Sequence, residues 1–303
     1  MVSRLRSLAP GAVAVAVLAG CGGGTEEPLT FAAPVQRAAA LTALADGGLR
    51  YGELDSGVIR DVRRDGRIRP GVVARISVGR GGQRGLLGLA VDRRGRTFAA
   101  WTRPDRRLVV GRVAPGPERL VWRGPRSADL ANGGHLAFAP DGRLVIGVGD
   151  LQAPERIADP RAPNGKLLAL DPGGRPDQRP AVLSAGWNNP YAFAYTPSGE
   201  LWVADNAPGR RPERLARGDL GPGPRRVTVI EPKVAASGLA ALADGRLALC
   251  GVVSRHLDLY EIEDGRARAL RDDTPAECLL GVARLRDGRL VLAREDDLRV
   301  LRP

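Results

Sequence analysis

GGHLAFAPDGRLVIGVGD, residues 133–150, is one phrase of a repeating text. A short apolar strand runs into an Asp-Gly turn, and a second apolar strand runs out of it. The phrase returns as GLLGLAVDRRGRTFAAW (85–101), NPYAFAYTPSGELWVADN (189–206), SGLAALADGRLALCGVV (237–253) and LLGVARLRDGRLVLARE (279–295). A weaker first copy reads GVIRDVRRDGRIRPG (57–71). Glycine accepts the positive φ that a tight hairpin demands, so Asp-Gly between apolar strands signals a hairpin. Hairpins recurring every 40–50 residues are the mark of propeller blades. Six copies over residues 49–303 leave about 42 residues each, enough for four short strands per blade. The pattern predicts an all-β, six-bladed β-propeller, with seven blades as the alternative.

Composition agrees. The 303 residues are 43% hydrophobic and 26% charged, a globular balance that excludes a fully disordered chain. Forty glycines and 24 prolines argue against a helix bundle. The net charge is +12, and Lys166 and Lys233 are the only lysines among 46 basic residues. The arginines are scattered beside turns, with no run of five or six. They read as solvated faces rather than a nucleic-acid footprint, so no nucleic-acid partner is expected.

The N-terminus reads as an address. Arg4 and Arg6 precede a short apolar stretch (7–20) that ends in Leu18-Ala19-Gly20-Cys21, which resembles a bacterial lipobox. The expectation is a signal peptide over 1–20, lipidation of Cys21 and a mature chain held on the outer face of the cytoplasmic membrane. Losing both signal arginines leaves the mature chain at +10. No later apolar run approaches the 18 residues of a spanning helix. Residues 21–48 read as a flexible tether, with room for one short helix in its alanine-rich part, and 49–303 as the propeller. Cys250 and Cys278 remain, either bridged, as an exported compartment permits, or as two buried thiols. Neither has zinc-like spacing.

Several phrases together resemble the glucose/sorbosone dehydrogenase family. They are Gly82-Gln83-Arg84-Gly85-Leu86-Leu87-Gly88, Asn132-Gly133-Gly134-His135-Leu136-Ala137-Phe138, Gly147-Val148-Gly149-Asp150, Asn164-Gly165-Lys166 and Gly186-Trp187-Asn188-Asn189-Pro190. The resemblance covers about 57–303. It implies a six-bladed quinoprotein using pyrroloquinoline quinone (PQQ), often with calcium, in which a histidine base takes the proton of a sugar's anomeric hydroxyl. Such a site needs a base within about 3 Å of that hydroxyl and cations around a trianionic cofactor.

Carried over residue by residue, the match is partial. Gln83 corresponds to a cofactor-contacting glutamine, Asp150 to the acid that orients the base, and Asn189 to the asparagine of an Arg-Asn-Pro phrase. The base position is Ala131, and Asn188 stands in place of the arginine before Asn-Pro. An Arg-x-Arg-Asp phrase that grips the cofactor aligns near Cys278 to Gly281, where no arginine stands. Arg255 is the replacement candidate for a cationic clamp. Pro208 and Glu213 fit the calcium loop, although Pro212 stands where a second acid belongs. His135 is four strand residues from Ala131, about 13 Å of rise, too far to substitute as base. It reads as structural, as does His256. Trp187 reads either as a sugar-stacking aromatic at the channel mouth or as filler for a lost cofactor.

Two functions follow from these residues. One is a PQQ-dependent aldose dehydrogenase-like lipoprotein with an altered centre. The other is a non-catalytic propeller that binds a carbohydrate or a partner protein at the same mouth. The loops between blades three and five are short, which argues against a large dimerisation insert, and a monomer is expected.

Overall fold

The computed structural model describes residues 27–28, 35–221, 227–270 and 276–302. They form six four-stranded antiparallel sheets, each a blade. The innermost strands are Ala38–Ala43, Leu86–Val91, Gly133–Phe138, Asn189–Tyr195, Ala236–Ala241 and Gly281–Arg284, numbered here as blades 1 to 6. Each innermost strand packs against those of both neighbours, so the blades close into a ring. The last blade takes its outer strand from the other end of the chain, where Glu27–Pro28 pairs with Leu298–Leu301.

One turn builds all six inner hairpins. Gly47, Gly95, Gly142, Gly199, Gly245 and Gly288 all have φ between 77° and 92°. In blade 3 the Gly142 N–H donates to the Ala139 carbonyl and the Ala139 N–H to Arg143, both at 2.9 Å. This is a type I turn closed by a left-handed glycine, the three-residue hairpin loop.

The first copy lies earlier than the sequence phrase suggested. The inner hairpin of blade 1 is Ala38–Ala43 with Leu49–Glu53, turning at Gly47. The phrase 57–71 belongs to the outer half of that blade, beginning at the third strand, Val58–Val62. The ring therefore begins before residue 49, and the alanine-rich segment is a strand rather than a helix. Alanine's helix preference is overridden because a small side chain is what the crowded axis accepts. The signal peptide, Cys21 and residues 22–26 and 29–34 of the expected tether lie outside the described residues.

The apolar core is six cores, one in each cleft between blades. Phe98, Leu108 and Trp122 of blade 2 meet Leu136 and Ile146 of blade 3. Trp202 and Leu215 of blade 4 meet Leu247 and Leu249 of blade 5. Both faces of a middle strand are thus covered, so its burial is continuous rather than alternating: Thr97–Thr102 is buried throughout. Cys250 and Cys278 form a disulfide with Cα atoms 5.4 Å apart, tying the second strand of blade 5 to the approach to blade 6.

Candidate functional site

At most inner strands the pairing register slips by a residue, as between Ala38 and Ala40, Leu86 and Gly88, and Ala236 and Gly238. A bulge re-aims the side chain it carries. The slip falls eight positions before the turn glycine, at Ala39, Leu87, Gly134, Tyr191 and Ser237, and the same offset in blade 6, where the register does not slip, is Leu280. Five of these six line an axial cavity of about 230 Å³ to which every blade contributes. Across it the Tyr191 hydroxyl of blade 4 donates to the Leu87 carbonyl of blade 2 at 3.2 Å.

The cavity lining mixes hydrocarbon with polar groups. Leu54, Leu87, Val252 and Leu280 supply hydrocarbon, while Gln83, Asn189, Asn206 and Ser237 supply polar groups. Gln83 and Asn189 are where the family phrases put them. Each spends its oxygen on the backbone: Gln83 Oε1 accepts from the Ala131 N–H at 2.7 Å, and Asn189 Oδ1 from Gly133 at 2.9 Å. Ala131, which the resemblance aligns with the expected base, is held in the left-handed region at φ 56°. Asn206 Nδ2 donates to the Ala236 carbonyl at 2.8 Å. Its Oδ1, and Ser237 Oγ beside it, are buried with no hydrogen-bond partner. Such atoms forgo about 1–3 kcal/mol each, so they call for a partner.

The remaining expected site residues lie elsewhere. Asp150 is buried beside the site, its Oδ1 accepting from the Gln152 N–H at 2.9 Å; desolvation raises its pKa. With alanine at 131 it has no imidazole to orient. Asn188 is tied to the buried Asp205, which accepts from the Asn188 and Asn189 N–H groups at 2.9 and 2.8 Å and pairs with Arg214. It braces the loop and does not line the cavity. Arg255 is 57% exposed, pairs with Glu277 at 3.0 Å and is not among the residues that line the cavity. Trp187 is fully buried between blades 3 and 4 with Val145, Leu167 and Phe193, its indole N–H on Ser184 at 2.9 Å. It neither stacks at the mouth nor fills a cofactor's space.

His135 packs edge-on against Phe193, with ring centres 4.6 Å apart, and against Tyr191 at 6.3 Å. Desolvation there lowers its pKa from 6.5 to about 4, against a hydrogen bond to the Phe193 backbone. It is structural, as the spacing implied. His256 bridges the Ser254 carbonyl at 2.9 Å and Asp258 at 3.0 Å, on the outside of blade 5.

Neither implied cofactor fits these residues. A trianionic quinone requires cations, and Arg37 is the cation among the described residues lining the cavity, already paired with Asp55 at 2.8 Å. For calcium, Glu213 is buried and its Oε2 accepts from the Val234 and Ala235 N–H groups at 2.9 and 3.0 Å. The Pro208 carbonyl accepts from Arg211 at 3.2 Å. Among the described residues no cluster of three or more acids, histidines or cysteines forms a metal site.

The residues that sequence reasoning missed are Arg37, Tyr191, Asn206 and Ser237. The signal for Tyr191 and Ser237 was present in the eight-residue offset from the turn glycine. It becomes visible only once the bulge shows that this offset faces the axis.

The chain is thus a six-bladed propeller with an axial cavity lined by all six blades. It belongs to the glucose/sorbosone dehydrogenase family, whose model matches residues 35–213. Among solved structures it is similar to an oxidoreductase from Thermus thermophilus described as a glucose dehydrogenase. That match has 27% identity and a TM-score of 0.75, and covers 92% of this chain and 100% of that one. The PQQ-bound aldose sugar dehydrogenase of Streptomyces coelicolor shares the fold at 21% identity and TM-score 0.74, covering 92% and 97% of the two chains. The soluble aldose sugar dehydrogenase of Escherichia coli in its apo-form shares it at 18% and 0.75, covering 93% and 100%. No curated protein matches the chain.

Proposed function

We propose that this family member is a binding propeller, holding a small neutral hydroxylated molecule of the carbohydrate class in its axial cavity without oxidising it. The observation that carries the reading is the pair Ser237 Oγ and Asn206 Oδ1, buried and unpartnered in residues that line a cavity with no spare cation. A ligand hydroxyl answers both at once: its proton goes to Asn206 Oδ1, and its oxygen accepts from Ser237. The leucines and the valine of the same lining suit the C–H groups of a sugar ring. Part of the proposal rests on the sequence alone: lipidation at Cys21 and residence on the outer face of the cytoplasmic membrane. The single-copy state belongs with it.

The competing reading is a PQQ-dependent aldose dehydrogenase. It is favoured by Gln83 and Asn189 standing at the cavity and by the quinone bound in the Streptomyces coelicolor structure. One experiment separates the two. The full chain is given PQQ and calcium, then aldoses and a dye acceptor, and monosaccharide binding is measured in parallel by calorimetry. We expect no retained quinone, no dye reduction, and sugar binding that weakens about tenfold in Ser237→Ala, the worth of one buried hydrogen bond. Ala131→His should stay inert. Dye reduction by the wild type, or its appearance in Ala131→His, would overturn the binding reading.

A further inference from the structure

Lysine is nearly absent from this chain, and both lysines do the same thing. Lys233 Nζ donates to the Ala207 carbonyl at 2.7 Å and the Gly209 carbonyl at 2.6 Å. Lys166 Nζ donates to the carbonyls of Asp159 and Ala162 at 2.8 and 2.5 Å, with those of Ile157 and Asn164 at 3.4 and 3.3 Å. The partners of both are backbone oxygens. Carbonyls gathered on one compact positive charge are how proteins hold hard metal cations. An ammonium is such a point charge, whereas the planar guanidinium fork cannot be converged on in the same way. In a chain that uses arginine almost everywhere else, that difference explains why these two positions are lysine.

We propose that Lys233 is the resident cation of the 207–209 loop, standing where the family resemblance puts calcium and making the chain independent of that ion. The loop is the one that contains Pro208. The other expected ligand, Glu213, is instead committed to the backbone of Val234 and Ala235, the residues directly after Lys233. The segment 233–235 is therefore clipped twice, by its ammonium to 207–209 and by its N–H groups to Glu213. Ala235 sits in the left-handed region at φ 52° and lines the axial cavity next to Ser237. The ammonium does there what a bound ion does elsewhere: it joins two loops across a gap and fixes the wall that they form. Lys166, buried at 3% exposure, repeats the device at the centre of loop 157–164.

The test is thermal melting of the full chain in excess calcium, in EDTA and in ammonium chloride, for the wild type, Lys233→Ala and Lys233→Arg. The wild type should melt at one temperature in all three. Lys233→Ala should melt about 5 °C lower, the size expected for two charge-assisted hydrogen bonds in a chain of this length. It should recover most of that loss in calcium or ammonium. Lys233→Arg should be destabilised without recovering, because the guanidinium still blocks the carbonyls. A wild type stabilised by calcium and weakened by EDTA overturns the proposal, and needs no variant to be seen. So does a Lys233→Ala protein that melts like the wild type, or one whose loss neither cation restores.

Discussion

His135 shows how one side chain reads out its place near the axis. Its folded pKa of about 4 lies below the ordinary 6.5, so the unfolded chain takes up a proton that the folded chain refuses. The stability this neutral imidazole contributes is complete above about pH 6.5 and drains away as the pH falls toward 4. We expect the denaturation midpoint to decline over that interval, and the decline to flatten in His135→Leu. A slope unchanged in the variant would show that the imidazole is not enclosed as described. At the same scale, Asp150, Gln83 and Asn189 lie around the loop that carries Ala131. What the three now hold is backbone: Asp150 the turn at Gln152, Gln83 the 131 loop, and Asn189 the start of the blade 3 strand.

At the scale of the element, the inner hairpin combines two kinds of glycine. Gly142 is needed for its backbone: φ is 87° and nothing lies within 4 Å of the space a Cβ would take. Gly88 is needed for room, because a Cβ there would stand 2.3 Å from the Gly134 carbonyl and 2.8 Å from the Leu136 nitrogen of the next blade. Gly142→Ala should cost about 1–2 kcal/mol, the penalty of a left-handed side chain. Gly88→Ala should cost about 3 kcal/mol or more, since the atoms in its way are backbone and cannot rotate aside. Urea midpoints of the two variants test the ranking. The hairpins were legible before the structure because turn chemistry is local. The bulge that follows each strand entry was not, because it answers to the neighbouring blade. The first hairpin was misplaced for a related reason: AAALTALADGG has helical residues, and only the ring makes a strand of them.

For the whole molecule, closure is the cooperative event. Blade 1 is reached from blade 6 through backbone bonds from Val35 to Asp296 at 3.1 Å and from Arg37 to Glu295 at 2.9 Å. The Cys250–Cys278 disulfide ties the last two blades across a separation of 28 residues. In the chain-entropy account a loop of that length contributes about 3–4 kcal/mol. The Cys250→Ser, Cys278→Ser double variant, or the wild type in reductant, should melt roughly 6 °C lower. An unchanged melting temperature would show that the bridge does not constrain the unfolded chain.

The amino-acid sequence alone determined the propeller architecture, with six blades preferred over seven, because a propeller is one short-range instruction repeated: apolar strand, Asp-Gly, apolar strand. It also aligned Ala131 with the place where the family resemblance expects a base, an expectation drawn from the phrases alone. Only the tertiary structure decided which side chains face the axis. It withdrew Trp187, Asn188 and Arg255 from the cavity and brought in Arg37, Tyr191, Asn206 and Ser237. It also placed the ammonium of Lys233 on the carbonyls of a loop more than twenty residues away. Facing, pairing and neutralisation depend on how six separate blades meet around one line, and no stretch of chain carries that information by itself.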